Sequence, residues 1–221
     1  MRVVVSAGGT GGHIYPALAI INKIKEKEPD SEFLYIGTTD RMEATIIPEL
    51  GYDYVGLEIK GLNRRNIFKN INVLKSYLKA VKIAKKEIKK FNPDVVLGIG
   101  GYVTLPVLSA AHSLKIKTFI HEQNSIPGLS NKLLTRKVDA IGVSLPSSLK
   151  HFDKKKTTYT GNPRSEEVIN VEKVDKKKYG LTKNKKLVLF VMGSLGSHTV
   201  NDMMKEILPK FDKKDYEVLF V

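Results

Sequence analysis

No cysteine and no tryptophan occurs in the 221 residues. The first absence excludes disulfides and thiolate metal sites and fits a reducing compartment. The second, with no aromatic residues interleaved among the basic ones, removes the stacking platforms that hold single-stranded nucleic acid. Arginine is scarce as well: 6 arginines stand against 31 lysines, so the formal net charge of +14 is almost wholly lysine. Runs such as Lys154 to Lys156 and Lys176 to Lys178 fall in expected loops, and the charge reads in part as a lysine-rich composition. No nucleic-acid partner is expected. An anionic membrane surface ranks above it, since each lysine near such a surface contributes about 1 kcal/mol. No apolar run of about 18 residues is present, and the N-terminus enters a strand without the charged and apolar regions of a signal peptide. A cytoplasmic protein is expected.

What is present is a hydrophobic content of 42%, enough for a sizeable core, arranged as apolar strands alternating with helical segments. That alternation predicts an α/β fold with a parallel sheet covered by helices. The strands are expected at Arg2 to Ser6, Glu32 to Ile36, Asp94 to Ile99, Lys117 to His121, Ala140 to Val143 and Thr157 to Thr160. The longest helix is expected from about Asn70 to Phe91, with Ile71, Leu74, Leu78, Val81, Ala84 and Ile88 as its apolar stripe against the sheet. Beyond Asn162-Pro163 the chain turns polar and lysine-rich, and then a new strand, Leu187 to Val191, runs into "MGSLGSHTVND" and another helix. The repeated order of strand, small-residue loop and helix predicts two Rossmann-like domains, residues 1–163 and 164–221, the second of them only begun. The sequence stops at Val221 within an apolar run, which reads as a truncated chain.

Chemistry in open parallel sheets gathers at the carboxyl ends of the strands, and four loops there stand out. In "AGGTGGHIYPALAI", four of the five residues from Gly8 to Gly12 are glycine, between a strand and a helix that starts near His13. Such a loop is either a tight turn or a cradle in which backbone N–H groups and a helix N-terminus meet a phosphate or diphosphate. Neither the dinucleotide pattern nor the P-loop fits, since Ile14 stands where the former needs glycine and the latter's lysine is missing. "GIGGYVTLP" offers a second such turn at Gly100 and Gly101, "HEQNSIPGLSN" places His121, Glu122, Gln123 and Asn124 at a strand end, and "GSLGS" carries Ser194. Asn124 and Ser194 suit either ligand contact or helix capping. His121 and Glu122 begin a zinc-binding H-E-x-x-H pattern whose second histidine is Ser125 here, so no metal site and no metal cofactor is expected.

"GGTGGHIYPALAI", "FLYIGT", "PDVVLGIGGYVTLPVLSAA", "HEQNSIPGLSNK" and "TGNPR" occur in the order and spacing of the MurG family, the bacterial family 28 glycosyltransferases acting on lipid I, and the whole N-terminal half resembles it. The resemblance implies a two-domain glycosyltransferase B fold, with the acceptor held mainly by the first domain and UDP-N-acetylglucosamine mainly by the second. It implies an inverting transfer of N-acetylglucosamine to undecaprenyl-diphosphate-linked muramoyl-pentapeptide, without a cofactor, at the cytoplasmic face of the membrane. By the same resemblance Thr10, Gly11 and Gly12 line the donor and diphosphate region, while Asn124, Arg164 and Ser194 bind the donor. His13 is the general-base candidate for the acceptor hydroxyl, and Glu122 is a second catalytic candidate that orients His13 or the acceptor. Met192 stands where the family usually has glycine before the serine of the second-domain loop, and the family's later uracil-reading motifs are absent. The 221 residues alone are therefore expected to bind the donor poorly.

Overall fold

The computed structural model describes residues 1–61, 70–169, 171–192 and 196–221. Its contacts divide the chain into two units, Met1–Ile169 and Asn170–Val221.

In the first unit Val3, Val4 and Val5 are fully buried and form β1 (Arg2–Ala7), an interior strand of a seven-stranded sheet. β2 (Glu32–Thr38) lies on one side of it and β3 (Asp53–Leu57) beyond that. On the other side follow β4 (Val95–Gly100), β5 (Lys117–Glu122), β6 (Ala140–Val143) and β7 (Thr157–Tyr159). Every pairing is parallel, so the α/β class expected from the alternating pattern is the class observed. Alternation along β1 sends Val3 and Val5 to one face and Val4 to the other. The Val3 face packs on Ile14, Ala17 and Ile21 of α1 (Gly11–Lys27) and on Ile47 of α2 (Glu43–Glu49). The Val4 face packs on α3 (Asn70–Phe91) and α4 (Thr104–Ser113), with α5 (Leu129–Leu134) further along. The last helix of the unit, α6 (Ser165–Ile169), meets α1 through a Glu166–Lys23 ion pair.

The chain builds β1, β2 and β3 in one direction and then returns to lay β4 on the free side of β1. Between the carboxyl ends of β1 and β4 the connections diverge to opposite faces, and the crevice that this leaves is where ligands bind in such sheets.

Among the elements with no counterpart in the expected ones are β3 and α2. β3 is a short edge strand of five residues, and α2 is seven residues long with Pro48 inside it. The stripe expected on α3 is corrected in its first half. Ala80, Ala84 and Ile88 are buried, but Leu74 and Leu78 are each 59% exposed. Small alanines let α3 approach the core closely, and Tyr77 takes up the contact that Leu78 was expected to make. The Ile71 side chain lies outside the described ones.

In the second unit β8 (Lys186–Phe190) and β9 (Tyr216–Phe220) pair in parallel, joined through α7 (His198–Ile207). Ser197 caps α7, its hydroxyl accepting the Val200 N–H. Glu217 accepts the backbone N–H and hydroxyl of Thr182. Among the described residues of this unit Met204 is the one buried apolar side chain.

Candidate active site

Two glycine turns meet at the switch point. The Gly8 N–H donates to the Gly100 carbonyl at 3.1 Å, tying the loop after β1 to the loop after β4. Gly101 has φ +91°, and a Cβ there would lie 2.4 Å from the Gly8 oxygen. The two backbones thus approach more closely than any side chain would allow. Tyr35 adds a further tie, donating its hydroxyl to the Ala7 carbonyl at 3.1 Å.

His13 sits in the first turn of α1, half-buried, with Nδ1 3.1 Å from the Gly8 oxygen. A carbonyl only accepts, so the neutral ring carries its proton on Nδ1 and its lone pair on Nε2. That edge of the ring lies over Gly100: a Cβ on residue 100 would fall 2.7 Å from Nε2. Burial lowers the imidazole pKa from its usual value, opposed by the Gly8 carbonyl and by the negative charges of Glu122 and Glu43. A histidine so placed is neutral at pH 7 and able to take a proton.

The ring borders a cavity of about 260 Å³ together with Gly100, Tyr102, Glu122, Asn124 and Asn131. Glu122, at the end of β5, is buried at 1% exposure. Its Oε1 accepts the backbone and side-chain N–H of Asn124, and its Oε2 accepts the Gly128 N–H and an Asn131 amide hydrogen, all at 2.9 Å. Four donors fill both oxygens, so the carboxylate organises the loop after β5 and presents its charge to His13. Taking up a proton would break one of those bonds. His121 faces away from this chemistry. Its Nδ1 accepts from the Gln123 amide at 3.0 Å, its Nε2 lies 3.2 Å from the Gly161 carbonyl, and burial lowers its pKa.

The structure brings Thr10, Gly11, Gly12, His13, Glu122 and Asn124 to this end of the sheet. Thr10 is the extended residue before α1, and the N–H groups of Gly11 and Gly12 belong to the first turn, which has no partner within a helix. Asn124 is exposed, with its amide on Glu122. Arg164 belongs to the first unit: its guanidinium stands 5.2 Å from the centre of the Tyr15 ring and pairs with Glu167. Ser194 lies outside the described residues. Among the described residues no three His, Asp or Glu side chains cluster so as to hold a metal ion.

Sequence reasoning missed Tyr102, Asn131 and Glu43. Tyr102 and Asn131 stand within the quoted loops and were legible as loop residues. Glu43 is buried, and its Oε2 accepts the Gly9 N–H at 3.1 Å across 34 residues of chain. No local pattern announces it.

Residues 3–143 match the model of the glycosyltransferase family 28 N-terminal domain. The chain is 46% identical over 222 aligned positions to the UDP-N-acetylglucosamine--N-acetylmuramyl-(pentapeptide) pyrophosphoryl-undecaprenol N-acetylglucosamine transferase of Bacillus cytotoxicus, and 44% identical to that of Bacillus pumilus. It is covered wholly in both alignments but spans only 61% of either relative. Among solved structures, Acinetobacter baumannii MurG superposes with a TM-score of 0.70 at 26% identity, over 96% of this chain and 58% of that one. A Neisseria meningitidis UDP-GlcNAc 2-epimerase bound to UDP-GlcNAc shares the fold at 15% identity, with a TM-score of 0.68 over the whole of this chain and 65% of the other.

Proposed function

The chain belongs to glycosyltransferase family 28, and on that footing we infer that it is the acceptor-handling part of an N-acetylglucosaminyltransferase. The reaction moves N-acetylglucosamine from UDP to the muramoyl hydroxyl of undecaprenyl-diphosphate-linked muramoyl-pentapeptide. The observation that carries this reading is the His13 ring, its Nδ1 proton committed to Gly8 and its Nε2 at the border of a cavity at the switch point. The acceptor hydroxyl enters that cavity, gives its proton to Nε2 and attacks the anomeric carbon as the bond to UDP breaks. A positioned base of this kind contributes about 10²- to 10⁴-fold. Anionic groups face the N-terminal turns of α1 and α4, whose unpaired N–H groups and dipoles favour negative charge. UDP-N-acetylglucosamine is held chiefly by the second domain, with Thr10, Gly11, Gly12, Asn124, Arg164 and Ser194 contributing.

The acceptor's lipid gives the protein its place at the cytoplasmic face of the membrane. An apolar groove of about 580 Å³ opens beside the site, sharing Tyr102, Leu129 and Ser130 with the cavity. Exposed Leu74, Leu129 and Leu133 border it, with Lys60 on its rim. Apolar side chains beside a basic one suit peripheral contact with anionic lipid. Among the described residues no helix is long and apolar enough to cross a membrane. Arg64 and Arg65, in the basic stretch "KGLNRRN" that begins at Lys60, lie outside the described residues.

The test is transfer of labelled N-acetylglucosamine from UDP to a water-soluble lipid I analogue, using the protein in its full encoded length. Formation of the disaccharide product supports the reading. Transfer only to a different lipid acceptor, epimerisation of the donor without transfer, or donor binding without turnover each overturns it.

A further inference from the structure

Glu43 is a fully buried carboxylate whose hydrogen-bond partners are all neutral. Its Oε1 accepts the Thr38 N–H at 3.1 Å and the Thr38 hydroxyl at 2.8 Å, at the end of β2. Its Oε2 accepts the Gly9 N–H at 3.1 Å. Two glycines make room for it. A Cβ on Gly8 would fall 2.3 Å from Oε1, and one on Gly37 would fall 2.6 Å from its Cγ. A buried charge is costly to hold unless it is well bonded.

The Gly9 N–H and the Gly8 carbonyl belong to one peptide unit. In a trans peptide they point in opposite directions, and here one end meets the Glu43 carboxylate and the other meets His13 Nδ1 at 3.1 Å. We propose that Glu43 is a positioning residue for the base: acting through the Gly8–Gly9 peptide, it polarises the Gly8 carbonyl, fixes the Nδ1–H form of His13 and so keeps the Nε2 lone pair in the cavity. The array is a carboxylate and an imidazole with one peptide bond between them. Chains of hydrogen bonds polarise one another in a buried setting, and an orienting carboxylate beside a histidine base both selects its tautomer and stabilises the imidazolium formed in the reaction. The same carboxylate takes the Gly9 N–H away from any bound phosphate, which leaves the N–H groups of Gly11 and Gly12 to face one. This role rests on the reading of His13 as the base.

The groups facing His13 are Glu43 through the peptide, the Gly8 carbonyl, Glu122 from β5, and the Gly100 backbone and Tyr102 from the loop after β4. Glu43 and Glu122 both favour the charged ring against its burial.

The experiment is Glu43→Gln, read first by histidine-selective ¹⁵N NMR on the 221-residue protein. The Nδ1–H fraction of neutral His13 is expected to fall and its titration to move to lower pH, while His121, held by Gln123 and Gly161, stays as it was. In the full-length protein kcat is expected to drop by about 10- to 100-fold, with KM for either substrate within about twofold, as for a base slightly misplaced. Thr38→Val removes only the hydroxyl bond to Oε1 and is expected to give a smaller loss of the Nδ1–H form. A folded Glu43→Gln protein with the tautomer and titration of His13 unchanged overturns the proposal. If Glu43→Gln does not fold, an unchanged tautomer in Thr38→Val overturns it instead. Absence of transfer in the parent protein would refute the proposed reaction and leave the NMR result to decide the relay.

Discussion

A Cβ on Gly100 would stand 2.3 Å from Cδ2 of the His13 ring, and Gly100 itself has φ +127°. Glycine at 100 and histidine at 13 are thus fitted to each other across the switch point, the one giving up its side chain so that the edge of the other's ring can approach the backbone.

Gly100→Ala should therefore damage function more than folding. The added methyl group strains a backbone that L-residues avoid, at about 1–3 kcal/mol, and it displaces the imidazole. Turnover is expected to fall by about 100-fold for a shift of roughly 1 Å at the base. Urea midpoints and kcat measured together check this, and parent-like turnover would count against the fitted pair.

Glu122→Ala should act chiefly on stability. It leaves four donors from Asn124, Gly128 and Asn131 without their acceptor. Asn131 is buried and its amide loses the carboxylate, at about 1–3 kcal/mol. Asn124 and Gly128 are exposed and can turn to water, so a loss of about 1–3 kcal/mol in chemical denaturation is expected. A variant as stable as the parent would show that water or a neighbour replaces the carboxylate.

Acid should weaken the first unit. Burial lowers the pKa of both His13 and His121 below the ordinary histidine value. The unfolded chain then binds protons that the folded one refuses between each lowered pKa and the ordinary value. The stability owed to these neutral rings is complete above that ordinary value and is lost as pH falls through the window toward the lowered one. Thermal midpoints should fall as the buffer is taken from pH 7.5 to about 5.5, and less so in His121→Asn. A midpoint independent of pH over that span would contradict the sign.

Contact with membranes should depend on both charge and apolar surface. Lys60→Glu is expected to weaken cosedimentation with anionic vesicles at low salt by several-fold, and Leu74→Ser to weaken it at all salt concentrations. Binding unaffected by either change would move the membrane face elsewhere.

The sheet was legible because its central strands are nearly continuous apolar runs, as in β1 and β4, and the glycine loops mark their carboxyl ends. β3 was not, since Tyr54, Val55 and Gly56 of an edge strand are only partly buried and carry little pattern. α3 shows where periodicity ends. Its spacing admits two overlapping apolar stripes, and only packing assigns Ala80, Ala84 and Ile88 to the core while leaving Leu74 and Leu78 outside. In the site, His13 stood out beside the glycine loop and Glu122 at a strand end, whereas the Glu43 contact joins a helix turn to a loop far away in sequence. The four bonds that turn Glu122 into the organiser of its loop likewise have no signature in spacing.

The most direct measurement is kcat and donor affinity for His13→Ala in the full-length protein. Turnover lower by about two to four powers of ten, with the Kd for UDP-N-acetylglucosamine largely unchanged, is the expected result for a base that touches the acceptor and not the nucleotide. Turnover near that of the parent would remove His13 from the chemistry, and with it the role assigned to the cavity at the ends of β1 and β4.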